Sequence, residues 1–263
     1  MSYKYKMNNF PHIIHQIWLQ GQDNIPEKYH KNIEQNIKHQ QSWEYILWDD
    51  IKIINLLRNQ KEWIDTYYKL EYLHHKVDFA RYIILYVYGG AYIDMDAKII
   101  KPLDAITNQF NNYDLIISKV NSNILENYIH CGYNTCFNNG ILIAKKNNII
   151  LKKMIESVIN EPKCSNLSTK ITCIQTITGP RKFTKIIHDN MNDKIKILDP
   201  EYLEPCVLDV CTVTNKTHVI HNHEGTWYSS NLRDLAVIYL QNKWSFYFCF
   251  LIILIIFIKY FYY

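Results

Sequence analysis

Between residues 78 and 96 the spacing of apolar positions changes period within a few residues. Phe79, Tyr82, Ile83, Tyr86 and Val87 recur at helical intervals and predict a helix. Gly89 and Gly90 follow directly, the pattern of a helix end that needs positive φ before the chain can turn. The apolar run 91–93 then predicts a short strand, which delivers Asp94 and Asp96 on the same side of an extended backbone. Upstream, FPHIIHQIWLQ (10–20) predicts a buried first strand of a parallel sheet, and 27–40 a polar surface helix. WEYILWDD (43–50) predicts a second strand with Asp49 and Asp50 at its exit, and 51–74 one or two helices with His74 and His75 on the surface. Downstream, strands are expected at 98–102, ending in an edge proline, at 114–118, at 140–144 behind Asn139-Gly140, and at 195–198. Between them lie an amphipathic helix at about 147–160, buried through Ile150, Leu151, Met154, Ile155 and Val158, and a helix entered from the turn Thr178-Gly179-Pro180. The segment His218 to Tyr228 closes this α/β unit.

Composition adds one qualification to that pattern. With 263 residues, 48% of them hydrophobic, the chain can bury one sizeable core, so a single domain (1–240) with a C-terminal appendage (244–263) is expected. The appendage reads as membrane: WSFYFCFLIILIIFI (244–258) holds no charge and has aromatics at its ends. With Lys259 snorkelling, a helix to Tyr263 reaches about 30 Å, one hydrocarbon core. The sequence therefore predicts a single-pass tail anchor with the catalytic domain facing the cytosol, an ER or Golgi lumenal orientation being the alternative. The first nine residues show no export signal. Net charge is +4 with Lys and Arg scattered, which excludes a nucleic-acid footprint. Seven cysteines without a C-x-x-C predict free thiols in a reducing compartment, although sequons at Asn166 and Asn215 point the other way.

The candidate chemistry lies at the strand end. Two carboxylates held together call for a cation, and Mg²⁺ or Mn²⁺ typically takes one or two protein carboxylates and fills its remaining positions with water and phosphate oxygens. Asp94 and Asp96 thus predict a metal-bridged phosphate site, with Asp78 and Arg81 one helical turn apart behind them. Trp18, at the end of the first strand beside His15, is placed to stack a nucleobase at the crevice where α/β sheets bind ligands. If the last segment folds back, a histidine from the pair His221 and His223 completes the metal shell, imidazole suiting Mn²⁺ better than Mg²⁺.

Taken in order, IIHQIWLQ with Pro26, YILWDD, DFARYIILYVYGGAYIDMD, Lys101-Pro102-Leu103, Thr178-Gly179-Pro180 and the His221–Trp227 segment resemble the DxD-containing sugar transferases of glycosyltransferase family 32, over about residues 10–230. A more distant similarity is to the glucosylating domains of clostridial toxins. The resemblance implies a GT-A fold, a Rossmann-like mixed sheet flanked by helices. It also implies transfer of a hexose (mannose, galactose or glucose) from a GDP- or UDP-sugar to a glycan or glycolipid, with retention of configuration. Carried over by position, Trp18 would stack on the donor base, Asp78 and Arg81 would hold the donor sugar, and Asp94 would contact ribose, sugar or metal, with His15 and Asn139 also among the donor-binding residues. Asp96 and His221 would ligate the metal, and Trp227 would lie over the diphosphate or the glycosidic oxygen. The closing histidines flank Asn222 where the family pattern has them adjacent, so the choice of His221 over His223 stays open. A dehalogenase-type phosphatase is disfavoured by Lys98, two residues after the second aspartate. The remaining competitor is a non-catalytic, membrane-anchored nucleotide-sugar binder.

Overall fold

A computed structural model describes residues 9–207 and 210–224, with Tyr247 and Ile252. Trp227 and nearly all of the segment expected to anchor the chain (244–263) lie outside the described residues. Among the described residues no helix is long and apolar enough to cross a membrane.

The first half runs β1 (Ile13–Ile17), α1 (Glu27–His39), β2 (Glu44–Trp48), α2 (Asp50–Leu57), α3 (Lys61–Lys69), α4 (Leu73–Tyr88), β3 (Gly90–Ile93), β4 (Ala97–Ile99) and α5 (Asp104–Gln109). The second half runs β5 (Leu115–Ser118), α6 (Ile124–Cys131), β6 (Ile141–Ala144), α7 (Ile149–Asn160), α8 (Lys170–Ile177), α9 (Pro180–Asp189), β7 (Ile195–Leu198), α10 (Pro200–Leu203), β8 (Cys206–Val207), β9 (Val210–Cys211) and β10 (Val219–His221).

Six strands form the central sheet in the order β2-β1-β3-β6-β5-β7. Five run parallel and β6 alone runs against its neighbours, so the sheet is mixed. The parallel strands therefore end at one edge, the same edge at which β6 begins. One core lies between α4, α7 and the sheet, with Phe79, Ile83, Leu142, Leu151 and Met154 all fully buried. A second, around Ile14, Ile93, Ile141 and Ile143, covers the opposite face. Each fully buried Leu or Ile contributes roughly 1.5–3 kcal/mol relative to its exposed state, so sheet position is fixed from both sides.

α4 is the central helix. Its segment Asp78–Leu85 is buried residue by residue, rather than on one face only, because sheet, α7 and α8 surround it. It stops where the sequence says: Gly89 and Gly90 take φ of 65° and 94°. Space demands glycine as well, since a Cβ on Gly89 would sit 2.7 Å from the Pro11 ring and one on Gly90 would collide with the Ile13 carbonyl.

Asp49 and Asp50 stand at the exit of β2 as expected: Asp49 caps α2 by accepting the Lys52 N–H at 2.7 Å, and Asp50 accepts the Tyr67 hydroxyl at 2.6 Å. Two other expectations need correcting. His75 is fully buried, not at the surface, with Nε2 3.5 Å from Cys173 Sγ. The free thiols are also overturned: Cys131–Cys136, Cys164–Cys173 and Cys206–Cys211 are disulfides. The odd seventh residue, Cys249, lies outside the described residues, so the odd count concealed an even set.

Candidate active site

β3 ends at the shared edge and projects Asp94 and Asp96 from the turn that follows. The turn is fixed on three sides. Asp94 N–H donates to the Gly140 carbonyl at 2.9 Å, extending the β3–β6 ladder, and Gln16 on β1 donates to the Asp94 carbonyl at 3.1 Å. On α1, Asn32 donates to the Met95 carbonyl at 3.0 Å, and the Asn36 carboxamide oxygen accepts the Ile99 N–H at 2.7 Å.

The return of the chain from its far end is a matter of register. β10 pairs antiparallel with β4, placing His221 opposite Ala97, the residue after Asp96. His221 Nε2 lies 3.2 Å from Asp96 Oδ1 and 3.8 Å from Asp94 Oδ2. Asp96 Oδ2 accepts the Glu224 N–H at 2.8 Å. One ligand atom from each of Asp94, Asp96 and His221 falls within 4.8 Å of the others. Gly140 forms the floor of this cluster. Any Cβ there would collide with Asp94 Oδ2 and lie 2.6 Å from His221 Cε1.

Behind the carboxylates is a second layer. Arg81 Nη2 is 2.9 Å from Asp78 Oδ1 and 3.3 Å from Asp94 Oδ1, its Nη1 donates to the Asn139 carbonyl at 2.7 Å, and its guanidinium lies over the Tyr92 ring. Tyr92 itself donates to Asp94 Oδ1 at 2.7 Å. Asp78 accepts from Thr178 at 2.9 Å and from the Asn139 amide at 3.1 Å. The Thr178-Gly179-Pro180 turn thus enters the site through a hydroxyl. The side chains of Arg81 and Asp78 are only 6% and 9% exposed, against 25% for Asp94 and 16% for Asp96, so the DxD acids form the solvent-facing layer.

Charge follows this layering. Burial pushes the Asp78 carboxyl up to about 6 even with Arg81 beside it. Burial also raises Asp94, against the pull of Arg81 and His221. Asp96 behaves differently: although burial opposes its charge, His221 and the Glu224 N–H hold it well below the usual carboxylate range. Burial opposes charge on His221 too, but Glu204 and Asp96 outweigh it and raise the imidazole well above its usual value.

Glu204, absent from the sequence reading, is the residue that changes the picture most. It is fully buried at the end of α10, 3.1 Å from His221 Nδ1 through Oε1 and 2.7 Å from His223 Nε2 through Oε2. The two imidazoles, stacked 3.9 Å apart, hold Glu204 down to about 2 against the effect of burial. No local pattern marks Glu204, a single acid before a proline; only the fold brings it to the histidines.

The other expected residues divide. Trp18 stands partly exposed at the end of β1, its ring tilted against Tyr29 and its Nε1 donating to the Asn24 carbonyl at 3.0 Å. His15, expected beside Trp18, does not face the site. It is fully buried, with Nε2 2.9 Å from the Gly89 carbonyl and Nδ1 3.1 Å from Trp48 Nε1, so it joins β1 to β2 and the glycine turn. Asn139 is 5% exposed and braces Asp78, Arg81 and Tyr82 instead of facing solvent.

Residues 26–113 match the glycosyltransferase sugar-binding region containing the DXD motif. An uncharacterized glycosyltransferase (L373) of Acanthamoeba polyphaga mimivirus is 30% identical over 248 residues, 89% of each chain. Inositol phosphoceramide mannosyltransferase 1 of Schizosaccharomyces pombe is 33% identical over 108 residues, 40% of this chain and 33% of the fungal one, so the chain spans about a third of that relative. Mouse xyloside xylosyltransferase 1 shares the fold, with a TM-score of 0.50 over 82% of this chain and 99% of the mouse one at 9% identity. The mixed α/β sheet with its acids at the strand edge is accordingly a GT-A-like scaffold. Since the viral relative matches along nearly its whole length, the chain belongs to the DXD-containing glycosyltransferases of family 32 and is itself a glycosyltransferase.

Proposed function

We propose that the chain is a metal-dependent, retaining hexosyltransferase that moves a mannosyl group from a nucleotide-diphosphate sugar, of the GDP-mannose type, to a glycolipid or membrane-bound glycan. The carrying observation is the cluster of Asp94, Asp96 and His221 over the bare floor of Gly140. Two carboxylates and an imidazole suit Mn²⁺, and Mg²⁺ less well, and a side chain at position 140 would fill the space between them. The preference for mannose rests on the fungal relatives, which are named for mannosyl transfer to inositol phosphoceramide.

When bound, the divalent ion neutralises charge on the diphosphate that leaves the sugar. The bond from the anomeric carbon to the diphosphate oxygen breaks with its electron pair on that oxygen, and the acceptor hydroxyl oxygen bonds to the same carbon and gives up its proton to the departing diphosphate oxygen. Arg81 contributes a fixed buried cation at the back of this charge, oriented by Asp78, Asn139 and Tyr92 before substrate arrives. Trp18, at the end of β1, supplies an aromatic face for the base. The disulfides favour an oxidising compartment for the domain, the lumenal orientation over the cytosolic one.

The test is a donor panel. The full-length chain in detergent is incubated with GDP-mannose, UDP-glucose, UDP-galactose and UDP-N-acetylglucosamine, with Mn²⁺ or EDTA, and with inositol phosphoceramide or a mannoside as acceptor. Mn²⁺-dependent mannosyl transfer, abolished in Asp96→Ala, is the expected result. Transfer that survives both EDTA and Asp96→Ala would remove the metal assignment, and transfer of another hexose alone would remove mannose.

A further inference from the structure

Glu204 is a carboxylate with no exposed surface, set against two stacked imidazoles, in a part of the chain that belongs to none of the sequence motifs. Burying a charge in this way is costly unless it is fully paired, and Glu204 is paired only with His221 and His223 among the described residues. We propose that Glu204 is the positioning residue of the metal centre, fixing the His221 ring with Nδ1–H toward Glu204 Oε1, so that Nε2, which faces Asp94 and Asp96, is the nitrogen that gives up its proton to a metal. This rests on the metal-dependent reading above.

The geometry carries the assignment because two groups compete for the same ring nitrogen. Asn138 Nδ2 lies 3.2 Å from His221 Nδ1, and Glu204 Oε1 lies 3.1 Å from it. Asn138 cannot turn its oxygen to the ring without losing the Gly140 N–H, which that oxygen accepts at 2.6 Å. The amide therefore presents N–H and favours the tautomer that would block Nε2, whereas Glu204 favours the one that frees it. A hydrogen bond to a buried charged carboxylate is about twice as strong as one between neutral groups, so Glu204 prevails. Carboxylate–histidine–metal relays elsewhere work in the same way, orienting the ring and raising its basicity. His223 reinforces the arrangement: at φ of 50° its backbone turns the ring under His221, against the other oxygen of Glu204.

The experiment measures Mn²⁺ alone, as free-ion loss by electron paramagnetic resonance, with full-length wild type, Glu204→Gln, Glu204→Ala and Asp96→Ala. Each is first shown to be folded by a cooperative melt in EDTA, and histidine side-chain nitrogen NMR reports the proton on each ring nitrogen in wild type and Glu204→Gln. The proposal expects Mn²⁺ affinity to fall about 10- to 100-fold in Glu204→Gln, and His221 Nδ1 to lose the proton it carries in the wild type. Should Glu204→Ala not fold, the Gln variant decides by itself. Wild-type affinity and an unchanged Nδ1 proton in Glu204→Gln would overturn the proposal and leave the metal site standing. Wild type that binds Mn²⁺ no better than Asp96→Ala would overturn the metal reading and the proposal together.

Discussion

Arg81 Nη2 lies 3.3 Å from Asp94 Oδ1, joining the central helix to the first acid of the DxD by a buried charge pair. The same nitrogen reaches Asp78 at 2.9 Å, so one guanidinium balances two carboxylates and also donates to a backbone carbonyl. Only a planar fork does all three. Arg81→Lys is therefore expected to keep the charge but lose the geometry, lowering kcat by more than tenfold with little change in Mn²⁺ affinity. Arg81→Ala leaves the buried Asp78 without its counter-charge and removes one from Asp94, and should cost roughly 3–5 kcal/mol of stability, read from urea unfolding.

Gly140 gives a sharper test of the metal cluster. Its φ is not in the left-handed region, so alanine is conformationally permitted and only space forbids it. Gly140→Ala should melt cooperatively in EDTA, with a loss of about 1–3 kcal/mol from overpacking. The stabilisation that Mn²⁺ gives the wild type should be absent from its melting curve. An equal Mn²⁺-induced rise in Tm in both proteins would show that the cluster tolerates a methyl group and does not enclose the ion.

His15 predicts an acid limit to stability. Burial lowers its pKa from 6.5 to about 4, opposed only by the Gly89 carbonyl. The unfolded chain thus binds the extra proton between those values, and the contribution is complete above pH 6.5 and lost as pH falls toward 4. The full effect is roughly 3 kcal/mol. Asp78, held up at about 6, works the other way over part of this window, because there the folded chain keeps the proton. Comparing wild type with His15→Gln across pH 4 to 7 isolates the histidine: the variant should lose distinctly less stability on acidification, and parallel curves would count against the assignment.

The disulfides predict a thiol count. Protein made in an oxidising compartment should show Cys131–Cys136, Cys164–Cys173 and Cys206–Cys211 linked in non-reducing peptide maps, with only Cys249 alkylated. Loss of the Cys206–Cys211 link in Cys211→Ser should loosen the segment directly after Glu204 and weaken Mn²⁺ binding. Alkylation of all seven residues in native protein would return the domain to a reducing compartment.

Local pattern was sufficient for the span from Asp78 to Asp96, because every signal there acts within a few residues: helical spacing, two glycines at positive φ, a short apolar strand and two acids on one side of it. The order of motifs was likewise enough to name the family. What the sequence could not carry were relationships set by pairing and burial over long separations. The antiparallel β6 within a parallel sheet, the β10–β4 register that brings His221 to Asp96, the buried state of His15 and His75, and Glu204 behind the histidines all belong to that class. Helix α6, with Ile124, Leu125, Tyr128 and Ile129 exposed, escaped detection because an apolar face turned outward does not follow the rule that locates a helix by its buried stripe. Sequence determined where the two DxD acids leave the chain, since that depends on backbone preferences a few residues wide. Tertiary structure decided what surrounds them, since a histidine's partners are fixed by which strand edges meet, and that free energy is spread over the whole core.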